Sequence, residues 1–282
     1  MIYTIKSDKL TVKINSLGAE MISVVKDGKE RLWQNGDGSW DGHALTLFPF
    51  CSTVKVYVNG KYYPNVIHGI AWISEFSLVS ASENSLTLRL VQSDETKKHY
   101  PFDFTLDITF EIESDSIKIT NRIYNPMDIP LPYAFGSHES YALDLSIDEY
   151  YLEFEKDEHF KNYSYAKRKT PLGYGDMGCG NTLALSNEYF KNDASLVFAD
   201  MNSRWIKLCK KDGTVLAKVE YDDIYHDLVC WKTESGSYIC IEPWMNLCDF
   251  DSDDRTEFSE KRGICSLMPK CEDVRSHKIM YY

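Results

Sequence analysis

Apolar and polar residues alternate in steps of two along much of this chain, the period of a strand with one buried face. Phe104, Leu106, Ile108, Phe110 and Ile112 alternate with Thr105, Asp107, Thr109 and Glu111. A polar turn at Glu113-Ser114-Asp115-Ser116 follows, and Ile117, Ile119 and Ile123 continue the pattern on a return strand. Leu86, Leu88 and Leu90 alternate in the same way after a turn at Ser82-Glu83-Asn84. Residues 10–14, 76–79, 204–208, 215–221 and 228–231 read as further strands. Sustained helical periodicity with caps is absent. Many short strands separated by turns predict an all-β chain, mostly antiparallel, folded as a sandwich or barrel.

No Pro/Ser-rich linker and no internal repeat divides the sequence, so one domain over residues 1–282 is expected. The only shift in composition falls at about residues 156–190, which read as rich in loops. Within it, Gly173-Tyr174-Gly175-Asp176-Met177-Gly178-Cys179-Gly180 is dense in glycine but lacks the Gly-Lys-Ser/Thr ending of a phosphate-binding loop. It reads as a flexible loop. No Gly-x-Ser-x-Gly elbow is present, which leaves a serine hydrolase without support.

The segment with most chemistry is Tyr238-Ile239-Cys240-Ile241-Glu242-Pro243-Trp244, where four residues that favour burial lead into an acid and a proline is expected to stop the strand. A carboxylate there is either buried and paired, or lines a cavity where partial desolvation raises its pKa toward that of a general base. Two histidines lie in comparable places. His68 opens His68-Gly69-Ile70-Ala71-Trp72, and His138 sits within Phe135-Gly136-Ser137-His138-Glu139-Ser140-Tyr141. Each alone is more often structural than catalytic. Together the three form a plausible acid–base set.

Composition narrows the function. The 282 residues are 43 % apolar and 26 % charged, as in a globular chain. A formal charge of −12 argues against nucleic acid or an anionic membrane as partner. Residues 1–8 carry no basic segment followed by an apolar core, and no run of about 18 apolar residues occurs, so a cytoplasmic protein is expected. The eight cysteines are dispersed without a Cys-x-x-Cys pair, and Cys230 and Cys240 sit in apolar strand patterns like small hydrophobes. Neither a metal site nor a disulfide is predicted. Asp249-Phe250-Asp251-Ser252-Asp253-Asp254 resembles the start of a calcium loop, but Asp254 stands where the sharp turn requires glycine. A solvated acidic loop is the better reading.

Seven short landmarks occur in order: Leu17-Gly18-Ala19-Glu20 with Leu32-Trp33-Gln34, Leu47-Phe48-Pro49, His68-Gly69-Ile70-Ala71, Tyr100-Pro101-Phe102-Asp103-Phe104, Gly136-Ser137-His138 and Ile241-Glu242-Pro243-Trp244. In this order and spacing the chain resembles the aldose 1-epimerase (galactose mutarotase) family, particularly its bacterial LacX-like branch, from about residue 17 to Leu267-Met268-Pro269. The resemblance implies a galactose mutarotase-like supersandwich with an open sugar cleft. It implies a small-molecule carbohydrate as partner, no cofactor, and a monomer or homodimer. It also implies roles: Glu242 as the base that takes the anomeric hydroxyl proton, His138 as the acid that serves the ring oxygen, and His68 as the second histidine. Asp193 falls where the family carries a substrate-binding aspartate. Trp244 would cover a sugar face or belong to the core.

The chain departs from the family at two places. Ser52 and Thr53 stand where a glycine–arginine pair usually follows Leu47-Phe48-Pro49, and Trp72 stands where the histidine–glycine motif usually ends in arginine. Those arginines carry forked donors suited to hydroxyls or phosphate. Lys55, close to the first gap, offers only a point charge, and Trp72 becomes a candidate sugar contact. An epimerase acting on a free hexose is therefore the first expectation. A non-catalytic sugar-binding or regulatory protein is the second, and a related enzyme acting on another sugar or a sugar phosphate the third.

Overall fold

The computed structural model describes residues 1–163, 174–249 and 255–282. Its named strands pair antiparallel, as the period-two pattern predicts. The larger sheet has nine strands, in the order Gly175–Ala184, Tyr150–Asn162, Trp205–Lys210, Val215–Tyr221, Glu272–Tyr281, Ser116–Tyr124, Thr105–Glu113, Ser85–Val91 and Ser77–Ala81. A second sheet has five, in the order Ser195–Phe198, Asp227–Trp231, Tyr238–Trp244, Gly136–Ala142 and Ala44–Leu47. A four-stranded sheet of Ile2–Lys6, Leu10–Asn15, Glu20–Lys26 and Lys29–Glu30 flanks them. No helix among the described residues is long and apolar enough to cross a membrane.

The five-stranded sheet is buried on both faces, and its alternation sorts side chains between two environments. Ala44, Tyr141, Leu196, Phe198, Leu228, Cys230, Ile239 and Ile241 enter the main core, which runs from Ile5 to Tyr281. Residues one step away go to the opposite face. There Leu47, Cys51, Val197, Val229, Trp244 and Leu247 form one small cluster, and Trp33, Tyr238 and Cys240 another, with Trp40 and Trp231 packed against it. Along the Tyr238–Trp244 strand, Glu242 lies between the two clusters.

Two expectations about elements need correcting. The glycine-dense segment is not a loop, since residues 175–184 form the edge strand of the nine-stranded sheet, paired with Tyr150–Asn162. Most of its side chains are exposed, so no apolar alternation marks it in the sequence. Nor does Pro243 stop its strand, which continues to Trp244 with Pro243 opposite Leu228. A proline cannot donate to a ladder. On the other side the partners are Gly136 with Trp244 and then Glu139 with Ile241, so the ladder passes over the positions where a donor is missing.

Candidate functional site

The two chemical groups at the centre are held by strand register. With Gly136 opposite Trp244 and Glu139 opposite Ile241, His138 comes abreast of Glu242 on the adjacent strand. Both side chains leave the same face, and His138 Nε2 lies 3.4 Å from Glu242 Oε2. Glu242 is 1 % exposed and His138 6 %. Among the described residues, neither oxygen of Glu242 nor Nδ1 of His138 has a hydrogen-bond partner. Buried polar atoms are rarely left so.

Burial sets its protonation. It pushes the His138 imidazole down to about 4, against smaller upward pulls from its own backbone and the charge of Glu139. It pushes the Glu242 carboxyl well above the usual carboxylate range, and Glu139 adds to that. Trp244, the smallest of the influences, pulls the other way; its indole N–H donates to the Ser137 carbonyl at 3.2 Å. An ion pair would pull the two groups the other way. In so dry a setting desolvation wins, and the closed geometry favours a protonated Glu242 beside a neutral His138. This form carries the same number of protons as carboxylate plus imidazolium. Either form holds one proton to give and one place to receive one.

His68 approaches from a loop. Its backbone is left-handed, with φ +65, and Gly69 follows at +77. A Cβ on Gly69 would come within 2.2 Å of the Phe48 carbonyl oxygen, so the close approach needs glycine. His68 N–H donates to Ser52 O at 2.7 Å, and Ser52 N–H donates to His68 Nδ1 at 3.1 Å. With Nδ1 accepting, a neutral ring carries its proton on Nε2. The ring stands edge-on to His138 at 5.2 Å and to Trp244 at 5.6 Å. Ser52 has φ +60, the left-handed conformation that favours glycine, and it holds His68 through its backbone alone.

The other expected site residues border this centre. Trp244 is 5 % exposed and forms the floor beside His68 within a small apolar cluster, so its indole is not an open platform. Trp72 is half-buried and donates its indole N–H to Ile67 O at 2.9 Å, which ties down the turn that carries His68. Asp193 is exposed and left-handed, and its carbonyl accepts from the Trp231 indole at 3.1 Å. Its Oδ1 accepts from Glu234 N–H at 2.7 Å. Asp193 thus touches the site through Trp231, whose ring lies 5.8 Å from His138. A cavity of about 390 Å³ opens nearby, beside Lys191, Lys232 and Glu234, and includes none of Glu242, His138 or His68.

Sequence reasoning missed the aromatic wall. Trp40 stacks on His138 at 5.2 Å and on Tyr238 at 5.5 Å, and meets Trp231 edge-on at 5.3 Å. Trp40 sits in a polar, glycine-rich stretch with no strand period, so the only signal was an aromatic residue where a loop would carry a polar one. Also missed was Glu139, which faces the core side of its strand and meets His277 of the larger sheet at 2.8 Å.

Among the described residues, two groups carry the donor types of a metal site. His138, Cys240 and Glu242 bring one donor atom each to within 4.8 Å of one another. Burial pushes the Cys240 thiol well up, and Glu242 and Glu139 reinforce it, so with no cation bound it stays a thiol. Asp200, His226 and Asp227 form the second group. Arg262 already supplies its countercharge, donating to both oxygens of Asp227 at 2.5 and 2.8 Å and to Asp200 at 2.8 Å. Of the acidic stretch likened to a calcium loop, Asp249 accepts from Lys55 N–H and pairs with Lys261, while residues 250–254 lie outside the described residues.

Comparison with known proteins places the fold. Residues 1–171 match the family described as aldose 1-epimerase. The chain is 26 % identical to the chromosomal protein LacX of Lactococcus lactis subsp. lactis, with 99 % of each covered. A galactose mutarotase-like protein from Lactobacillus casei shares the fold at a TM-score of 0.90 and 23 % identity, with both chains covered in full. A galactose mutarotase related enzyme from Lactobacillus acidophilus does so at 0.87 and 23 %, covering 100 % of this chain and 97 % of the other.

Proposed function

The chain belongs to the aldose 1-epimerase family, and from that premise we propose that it interconverts the α and β anomers of a free hexose. One observation carries the reading: a carboxylate and an imidazole on adjacent strands, 3.4 Å apart, buried, and otherwise unpartnered among the described residues. Opening a hemiacetal requires one group to accept a proton from the anomeric hydroxyl while another donates to the ring oxygen. Those two oxygens are borne by one carbon, so neighbouring acceptor and donor can serve both.

In the proposed sequence, Glu242 takes the proton from O1 and His138 delivers one to O5 as the C1–O5 bond breaks. Rotation about C1–C2 then turns the aldehyde, and the same groups return the protons as the ring closes on the other face. Nε2–H of His68 is the further donor that steadies the ring oxygen. Sugar hydroxyls entering the site make it more polar and favour the carboxylate–imidazolium form that this assignment uses. Thr53 and Trp72 offer no guanidinium, which supports a neutral sugar over a sugar phosphate. The acidic balance and the dispersed thiols support action in the cytoplasm.

The direct experiment follows freshly dissolved α-glucose and α-galactose by polarimetry, or by NMR exchange, with and without the protein. Faster equilibration that saturates with sugar is the expected result. Binding without acceleration across a panel of aldoses would favour the sugar-binding alternative.

A further inference from the structure

Glu242 and His138 are too well covered, at 1 % and 6 % exposed, for a pyranose to reach them without a movement. Most of their cover is anchored. Trp231 and Tyr238 project from paired strands, Trp244 lies in an apolar cluster, and His68 exchanges two hydrogen bonds with Ser52. Trp40 differs. It is carried by the stretch Asn35-Gly36-Asp37-Gly38-Ser39-Trp40-Asp41-Gly42, which has three glycines and no strand. Its indole is half-buried, yet lies nearly parallel to both His138 and Tyr238, with interplanar angles of 28° and 25°.

The position is a specified one. The Trp40 carbonyl accepts the Trp33 indole N–H at 2.8 Å, which fixes the backbone beside the site. A Cβ on Gly42 would stand 2.3 Å from the six-membered ring of the indole, so only glycine at 42 lets Trp40 lie down on His138. The flat indole covers a buried acid–base pair with three polar atoms that no described residue meets. Leaving such atoms unmatched is unfavourable. A ligand with several hydroxyls and one apolar face answers both features, since hydroxyls satisfy the polar atoms and the indole plane matches the face.

We propose that Trp40 is the gate and the aromatic sugar contact of this site, resting on His138 until a pyranose displaces it and then stacking on the apolar face of that sugar. The proposal rests on the reading of Glu242 and His138 as the acid–base pair. The indole swings about its own side-chain bonds from a held backbone, Gly42 gives it its resting place, and the anchored residues keep the pair in register.

The test uses the whole protein and two readouts. Diethyl pyrocarbonate acylates accessible neutral imidazoles, and peptide mapping assigns the rate to His138 among the seven histidines. Trp40→Ala should raise His138 acylation at least several-fold, Gly42→Ala should do so with the indole still present, and Trp40→Phe should restore much of the protection. In steady-state mutarotation, Trp40→Ala should raise KM for the preferred aldose by about tenfold, the worth of one aromatic stacking contact. His138 equally protected in both Trp40→Ala and Gly42→Ala, with melting curves showing folded protein, overturns the gate. An unchanged KM in Trp40→Ala overturns the sugar contact. A reactive His138 in these variants beside a wild type that accelerates no aldose supports the gate, while the epimerase reading falls.

Discussion

His277 Nε2 lies 2.8 Å from Glu139 Oε1, and this buried contact joins the two main sheets directly behind His138. Glu139 is one residue from His138 but faces the core, where His277 arrives from the Glu272–Tyr281 strand. Its charge helps to hold the Glu242 carboxyl up. In Glu139→Gln that contribution disappears, so the Glu242 pKa falls. The acidic limb of the pH–rate profile, where activity is lost as the base protonates, should move to lower pH. His277→Ala should be costlier for stability, by about 3–5 kcal/mol in urea unfolding, because it strands a buried carboxylate.

Glu242→Gln keeps the shape of the site and removes the proton acceptor. The mutarotation rate should fall by about 10²–10⁴, the usual worth of a positioned general base. Sugar binding, read by calorimetry, should survive because the amide still makes hydrogen bonds. His138→Asn should behave similarly. A variant of Glu242 with an unchanged rate would remove the base from the mechanism.

Burial of His138 also links stability to pH. Its pKa is pushed down to about 4 in the folded protein, against an ordinary value of 6.5. Between those values the unfolded chain takes up a proton that the folded one refuses. The stability from this residue is therefore complete above pH 6.5 and lost as pH falls toward 4. The loss amounts to at most about 3 kcal/mol, at 1.36 kcal/mol per unit. Urea midpoints measured across this window should decline more steeply for the wild type than for His138→Asn.

Gly69→Ala tests how His68 is placed. Its φ of +77 disfavours any side chain, and the new methyl would meet the Phe48 carbonyl oxygen. A loss of about 1–3 kcal/mol is expected from the strained backbone alone. The displaced turn should also carry His68 away from His138, so kcat should drop even at temperatures where the protein is fully folded.

Much of the fold could be read in advance because burial on one face writes itself as alternation. The strand Val215–Tyr221 falls on the residues its pattern marks, and the Thr105–Glu113 and Ser116–Tyr124 pair lies within a residue of its expected limits. The edge strand Gly175–Ala184 left no such trace, because it rests few side chains on anything. Glu242, His138 and His68 stood out as polar residues at the ends of apolar runs, and the structure brings all three together. Trp40 and His277 did not, since each acts through contacts with residues far away in the chain.

Acid and base on neighbouring strands are metered by the hydrogen-bond ladder rather than by any loop. Their spacing can change only if a whole strand slips, and a slip of one residue would turn the group on that strand into the core, away from its partner. The residues around them, Trp40 and the turn bearing His68 and Trp72, hang from loops that lie outside that ladder. Under the proposed reading, the acid–base pair and the Trp40 contact with the sugar are thereby mounted on separate parts. If the proposed function holds, library positions for a new substrate lie in residues 35–41 and at Trp72, with Gly42, His68, Gly69 and the sheet left untouched.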